Sequence, residues 1–345
     1  MKPFIDLPKM PLLSISSPET IEKCSKLPVG TNDILICSYP KSGTTWTQHI
    51  VISLLLLQRR KKQQRQEERQ DEGEKVPYTH VSQYAPFFEI DPHWNGNELI
   101  SSIQQSHSQI GWRIFNTHLR GNMLPGVGDW ASNYKKEEAG EGLDGKNEAT
   151  TTRSTSCRNN KGKIIYLVRS PLDACVSFYH HLSKQVEGEG TCYENTLHDF
   201  FQEWIEGKLP YGSWADHVRS YAPLIANDDA FLMCYEDMVH DLPGSIRKLV
   251  KFLELDEDIS EQDLEELLPS FTFANMKKDL KRFQPISVAW KDNFQFLRKG
   301  EVGDHRNSLS DDDRSMFQEY LEQSNFYDDL KASLGGKGAA YLYSA

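Results

Sequence analysis

Three short runs of unbroken apolar residues, each leading into a helix signal, constrain this chain more than any other feature. The runs are Asp33-Ile-Leu-Ile-Cys37, Lys163-Ile-Ile-Tyr-Leu-Val168 and Ala230-Phe-Leu-Met-Cys-Tyr235. Thr44–Gln58, Asp173–Ser183 and Pro243–Leu253 read as the helices that follow them. A strand without polar alternation is buried on both faces, and that environment exists in parallel sheets covered by helices. The predicted fold class is α/β, a single domain with a central, mainly parallel β-sheet flanked by helices. Ligands of such sheets sit outside the carboxyl ends of the strands. That rule points to Lys41–Trp46, to Arg169 and its neighbours, and to Tyr235.

The whole chain, 345 residues with 38% hydrophobic content, suffices for one large domain. Two stretches stand apart. Residues 59–75, RRKKQQRQEERQDEGEK, contain no apolar side chain, and 131–162 are polar and rich in glycine. Neither buries enough surface to offset the entropy of ordering, so both read as solvated insertions. The charges of the first are compatible with prolonging the preceding helix. A formal charge of −11 argues against nonspecific nucleic-acid binding. None of the six cysteines forms a C-x-x-C pair, which fits free thiols in a reducing compartment. The longest aliphatic stretch, Ile50–Leu57, is too short for a bilayer, and MKPFIDLPKM lacks a signal-peptide core. The expected setting is cytoplasmic, with no membrane partner.

At the first strand end the sequence reads YPKSGTTW, residues 39–46. A loop entering a helix leaves backbone N–H groups unpaired, and with the helix dipole these bind anions. Gly43 permits close backbone approach, Lys41 adds a full charge, and the hydroxyls donate to phosphate oxygens. Taken alone, the segment also fits an ordinary strand-to-helix turn with a Ser/Thr cap. It is not a Walker A loop, in which lysine follows the second glycine. The next strand ends in Arg169-Ser170-Pro171 rather than the acidic residue that holds magnesium in nucleotide-triphosphate enzymes. Asp173 and Ser177 follow on the first turns of the helix. Far downstream, Arg298, Lys299 and Gly300 form another basic, glycine-containing corner.

Together these segments resemble the cytosolic sulfotransferases. YPKSGTTW resembles that family's 5′-phosphosulfate loop, which is P-loop-like. IIYLVRSPLDACVSFYHH at 164–181 resembles its 3′-phosphate segment, and RKGEVGDHRN at 298–307 its C-terminal RKGxxGDWKN motif. NTHLR at 116–120 matches the segment bearing the family's catalytic histidine. YGSW at 211–214, YEDM at 235–238 and, more loosely, FTFANMKKD at 271–279 also match. The resemblance covers about residues 10–330, with 59–75 and 131–162 as insertions.

The resemblance implies transfer of a sulfuryl group from 3′-phosphoadenylyl sulfate (PAPS) to a hydroxyl or amine, leaving 3′-phosphoadenosine 5′-phosphate (PAP). His118 would be the general base, a role worth roughly 10²–10⁴ in rate. Lys41 would reach the bridging oxygen, on which charge develops, and Ser42, Gly43, Thr44 and Thr45 would wrap the 5′-phosphate. Arg169 and Ser177 would hold the 3′-phosphate with Arg298, Lys299 and Gly300. Trp46 and Phe273 would flank the adenine, with Tyr235 at its edge. No metal is implied, since the protein supplies the positive charge. Phe87, Phe88, Asn116, His118 and Tyr211 would line the acceptor site, for a small lipophilic phenol, steroid or alcohol.

Three departures from the family pattern stand out. Asn116 replaces a lysine two residues before the catalytic histidine. His305 and Arg306 replace tryptophan and lysine, and are candidates to compensate for the charge lost at 116. The downstream dimer signature K-x-x-x-T-V-x-x-x-E is absent from Arg306–Ser315, which leaves a homodimer open. Two other readings stay on the table. One is a catalytically weak PAPS-binding member of the fold. The other is an ATP-dependent, kinase-like phosphotransferase, opposed by the residue order in the loop.

Overall fold

The computed structural model describes residues 9–67, 78–127, 162–186, 192–292 and 294–334. Four parallel strands form the central sheet: β1 (Asp33–Ser38), β2 (Arg113–Thr117), β3 (Lys163–Val168) and β4 (Ala230–Cys234). Their spatial order is β2-β1-β3-β4. The three apolar runs are β1, β3 and β4. The edge strand β2, RIFNT, had no counterpart in the sequence reading, because two polar residues and an arginine break its apolar run.

Alternate residues of each strand feed opposite cores. Ile34, Ile36, Ile114, Ile165 and Leu167 pack on one face of the sheet. Leu35, Cys37, Phe115, Tyr166 and Val168 pack on the other. Both faces are therefore apolar, which is why the strands show no alternation in sequence. The first face is covered by α1 (Thr44–Glu67), whose Ile50, Val51, Leu54 and Leu55 are fully buried. The second is covered by α2 (Pro171–Leu182) and α3 (Trp214–Ala226), with Trp204 and Trp214 in the same core. A short helix, α4 (Tyr235–His240), begins directly where β4 ends.

Helix α1 runs nine residues past the expected Gln58. The start of the polar stretch 59–75 thus prolongs the preceding helix, as its charges allow. Its charges are matched by acids on the neighbouring segment. Lys61 pairs with Asp263, Lys62 with Asp258 at 3.3 Å and Arg65 with Asp258 at 2.8 Å. The rest of that stretch, and all of 131–161, lie outside the described residues. Among the described residues no helix is long and apolar enough to cross a membrane.

The chain leaves β1 toward β2 on one side and returns through β3 toward β4 on the other. The crevice between the carboxyl ends of β1 and β3 is the switch point at which such sheets bind ligands. At the opposite end of β1, Asp33 is 4% exposed and takes hydrogen bonds from Arg113 Nε at 2.7 Å and Gly30 N at 2.6 Å. Arg113→Ala leaves this buried carboxylate short of its main partner and is expected to cost about 2 kcal/mol in urea unfolding. Lys208→Ala, which removes a pair exposed on both sides, leaves the midpoint in place.

Candidate functional site

A cavity of about 630 Å³ opens at this crevice. Its wall contains Lys41, Gly43, Thr44, Thr45 and Trp46 after β1, Asn116 near the end of β2 with His118 just beyond it, and Arg169 and Ser177 after β3. Tyr235, Phe273, Arg298, Lys299 and Gly300 close one side, and Phe87 and Tyr211 the other. Segments spread over more than 250 residues of sequence thus meet in one space.

The first loop is held in an unusual backbone conformation. Lys41 has φ 69° and Gly43 φ 104°. At Gly43 a side chain is impossible, since a Cβ would sit 2.9 Å from Tyr235 Cδ2. Thr44 Oγ1 meets Ser38 Oγ at 2.6 Å, and α1 starts there with its first N–H groups unpaired within the helix. Lys41 Nζ lies 4.2 Å over the Phe296 ring. Burial, then the Arg169 and Arg298 cations, push the Lys41 pKa down to about 7. Ser42 is fully buried and does not line the cavity, so the loop offers its backbone rather than its hydroxyl at this position.

Arg169 ties two corners together. Its Nη1 donates to Lys41 O at 3.0 Å and its Nη2 to Glu301 O at 3.3 Å, while the guanidinium stacks 4.3 Å over Tyr235. Tyr235 therefore supports the arginine and the glycine loop at once. Arg298 and Lys299 share the buried Asp304 carboxylate. Gly300, at φ 71°, faces Phe273, and a Cβ there would fall 2.5 Å from that ring. This corner is locked to α2 by Asp173, which accepts from Gly303 N at 2.7 Å and from His305 N at 2.9 Å and Nδ1 at 2.8 Å. Burial alone would raise the Asp173 pKa; these hydrogen bonds and Arg169 hold it at about 2. His305 is thus a structural tether and Arg306 is exposed, and neither lines the cavity beside Asn116. The suggested compensation at Asn116 does not come from them.

His118 is fixed from several sides. Its Nδ1 is 2.8 Å from Ser38 O. A carbonyl only accepts, so Nδ1 carries the proton and Nε2 keeps the free lone pair. The ring packs between Phe87 and Tyr211, at 5.4 and 5.2 Å. Burial, with Lys41 nearby, pushes its pKa down to about 4. Its backbone N–H donates to Glu89 Oε1 at 2.7 Å. Helix α3 grips the same segment: His217 Nε2 donates to His118 O at 3.1 Å and Tyr221 Oη to Leu119 O at 2.7 Å. His217 and Tyr221 escaped the sequence reading, and Glu89 of the Pro86–Glu89 segment had no role of its own there, since nothing local marks a residue whose partner lies about 30 or 100 positions away. His181, the last histidine of the quoted 164–181 segment, also lines the cavity and was given no role there.

Phe88 corrects an expectation. It is 1% exposed and packs on Phe115 at 4.7 Å and Trp94 at 5.7 Å, away from the cavity. Residues 86–88 pair with the edge of β2, through Phe88 N to Asn116 O at 2.9 Å. In an extended segment neighbouring side chains face opposite ways, so Phe87 lines the cavity and Phe88 the core. Asn116 donates its amide to Ala85 O at 3.1 Å.

A family model described as the sulfotransferase domain matches residues 31–135 and 149–331. Sulfotransferase 1E1 of Mus musculus is 28% identical over 303 residues, covering 85% of this chain and 83% of the relative. The amine sulfotransferase of Oryctolagus cuniculus is 27% identical over 308 residues, covering 88% and 84%. The crystal structure of mouse sulfotransferase SULT7A1 complexed with PAP aligns with a TM-score of 0.62 at 22% identity, covering 96% of both chains, a likeness of fold. Matched by that domain over most of its length, the chain belongs to the sulfotransferase family.

Proposed function

We propose that this PAPS-dependent sulfotransferase passes the sulfuryl group to a hydroxyl, or an amine, of a small lipophilic acceptor by in-line attack, with His118 as general base. The observation that carries this reading is the 2.8 Å contact of His118 Nδ1 with Ser38 O. With Nδ1–H committed to Ser38 O, the basic Nε2 belongs to a residue of the cavity wall. A neutral imidazole is the form that can take the acceptor's proton.

The residues present fit the donor. Arg169 Nε is buried without a partner among the described residues, beside a loop of unpaired N–H groups and three further cations. When bound, PAPS supplies a sulfuryl group on an anionic leaving phosphate. Lys41 and the Gly43–Thr45 backbone would hold the 5′ end, and Lys41 would stabilise charge appearing on the bridging oxygen. Arg169, Ser177, Arg298 and Lys299 would hold the 3′-phosphate, with Asp304 keeping the last two in place. Arginine's planar fork suits phosphate better than lysine's point charge does. Trp46, Tyr235 and Phe273 offer flat apolar faces for the adenine.

The acceptor would lie beside Phe87, Ile90, Phe178, Leu182 and Tyr211, an apolar wall that favours phenols, steroids or other lipophilic alcohols. A cytoplasmic setting accords with the five described cysteines, all free thiols.

Labelled sulfate transfer from PAPS to a panel of phenols, sterols and amines tests the reading. Turnover is expected with neutral lipophilic hydroxyl acceptors, and a panel without any product overturns it. His118→Ala is expected to bind PAP normally while kcat falls about 100-fold or more. With His118 held near 4, the base stays neutral through the physiological range. The acidic limb of kcat/KM therefore lies near 4, and a limb near an ordinary imidazole value would contradict this environment. Arg169→Ala should weaken PAPS roughly 10- to 100-fold, the worth of a charge-assisted contact. Adenosine 5′-phosphosulfate, which lacks the 3′-phosphate, should be affected far less; equal losses would show that Arg169 does not read that phosphate.

A further inference from the structure

The structure assigns His181 as the positioning residue for Lys41: its imidazole accepts a hydrogen bond from the ammonium and holds it at the mouth of the donor loop. The inference rests on the role proposed above for Lys41.

His181 sits on the last turn of α2, four residues after Ser177, and lines the same cavity. Its Nδ1 lies 3.3 Å from Lys41 Nζ. An ammonium has only donors, so Nδ1 accepts and the ring proton resides on Nε2. The lysine head thus rests between an imidazole lone pair and the Phe296 face. Among the described residues no carboxylate pairs with it.

The imidazole is itself well anchored. Trp290 packs edge-on to it at 4.9 Å. The end of α2 is stitched to the Trp290 segment by Val186 N to Ala289 O at 3.1 Å and Lys291 N to Lys184 O at 2.8 Å. A fixed acceptor at this point answers a specific difficulty. Arg169 after β3 and Arg298 in the basic corner both face Lys41, and Asp304 is already shared by Arg298 and Lys299. Burial, Lys41 and His118 hold the His181 pKa well below its usual value, so the ring stays a neutral acceptor. Asn116 brings no cation to the cavity, and its amide is engaged by Ala85 O, so control of Lys41 gains weight.

The experiment is kcat/KM for PAPS against pH, which reports groups of the free enzyme. It uses the wild type, His181→Phe, His181→Asn, Lys41→Met and the double variant His181→Phe/Lys41→Met. Phenylalanine keeps an aromatic ring against Trp290 but offers no lone pair, whereas asparagine restores an acceptor oxygen near the Nδ1 position. His181→Phe is expected to lower kcat/KM roughly tenfold and to move the alkaline limb to lower pH, because the charged lysine loses a partner. His181→Asn should recover most of both effects. In the Lys41→Met background His181→Phe should cost less than about twofold, as coupled residues require. An unmoved alkaline limb, or the same loss with and without Lys41, overturns the inference while leaving the role of Lys41 intact. Wild-type turnover by Lys41→Met alone overturns that role, and this inference with it. Should His181→Phe fold poorly, His181→Leu takes its place against His181→Asn.

Discussion

Lost hydration, and then mutual repulsion, of cations gathered in a low-dielectric crevice govern this molecule. Lys41, Arg169 and Arg298 arrive from three distant segments, and lost hydration, followed by the Arg169 and Arg298 charges, pushes the Lys41 pKa down to about 7. Such a cluster opposes folding unless something offsets it. The chain does so locally. Asp304 takes the Arg298 and Lys299 charges, Asp173 stands 4.0 Å from Arg169, and the Tyr235 and Phe296 rings lie against Arg169 and Lys41. These arrangements leave donors facing the cavity, so an anionic ligand gains both hydrogen bonds and relief of the repulsion.

A second network places the His118 imidazole. The segment at 118–120, just past β2, has no regular structure to hold it, so backbone groups there and at Gly121 are satisfied by side chains. Glu89 takes the His118 amide, while His217 and Tyr221 donate to the carbonyls of His118 and Leu119, and Ser220 Oγ accepts from Gly121 N at 2.9 Å. Tyr221 stacks on Tyr166 of the central strand β3 at 3.9 Å, which carries rigidity of the sheet into the loop. Gly121 is required because a Cβ would fall 2.4 Å from Ser220 O. Burial raises the Glu89 pKa to about 7, opposed by its hydrogen bonds, so this acid is held at a cost that its grip on His118 offsets. Precise placement of one imidazole thus draws on a helix about 100 residues further along the chain.

Much of this was legible in sequence, and the exceptions have physical causes. The three central strands announced themselves because burial on both faces leaves no polar position. The edge strand β2 did not, because an edge admits Arg113 and Asn116. The basic loop, the strand-end arginine and the RKG corner were legible together as anion-binding chemistry, since three glycine- or serine-associated cations recur in one α/β pattern although each alone fits an ordinary turn or surface loop. Phe87 and Phe88 could not be told apart without the pairing of residues 86–88 with β2. His305 and Arg306 looked like replacements for a missing charge, yet His305 serves Asp173. The helix-compatible charges of the first half of the 59–75 stretch were legible, but not their acidic partners Asp258 and Asp263, which lie some 200 residues away.

The sequence by itself determined the fold class and the chemical type of the cavity. Hydrophobic runs and local turn chemistry act over a few residues and survive in any context. Tertiary structure alone decided which side chains meet. It set Lys41 beside His181, aimed Arg169 at the Lys41 carbonyl, left His118 with its basic nitrogen on Nε2, and turned Phe88 into the core. Each of these depends on distances between segments brought together by closure of the sheet. Hydrogen bonding and desolvation change steeply over an ångström or two, a scale that residue identity and spacing along the chain do not encode.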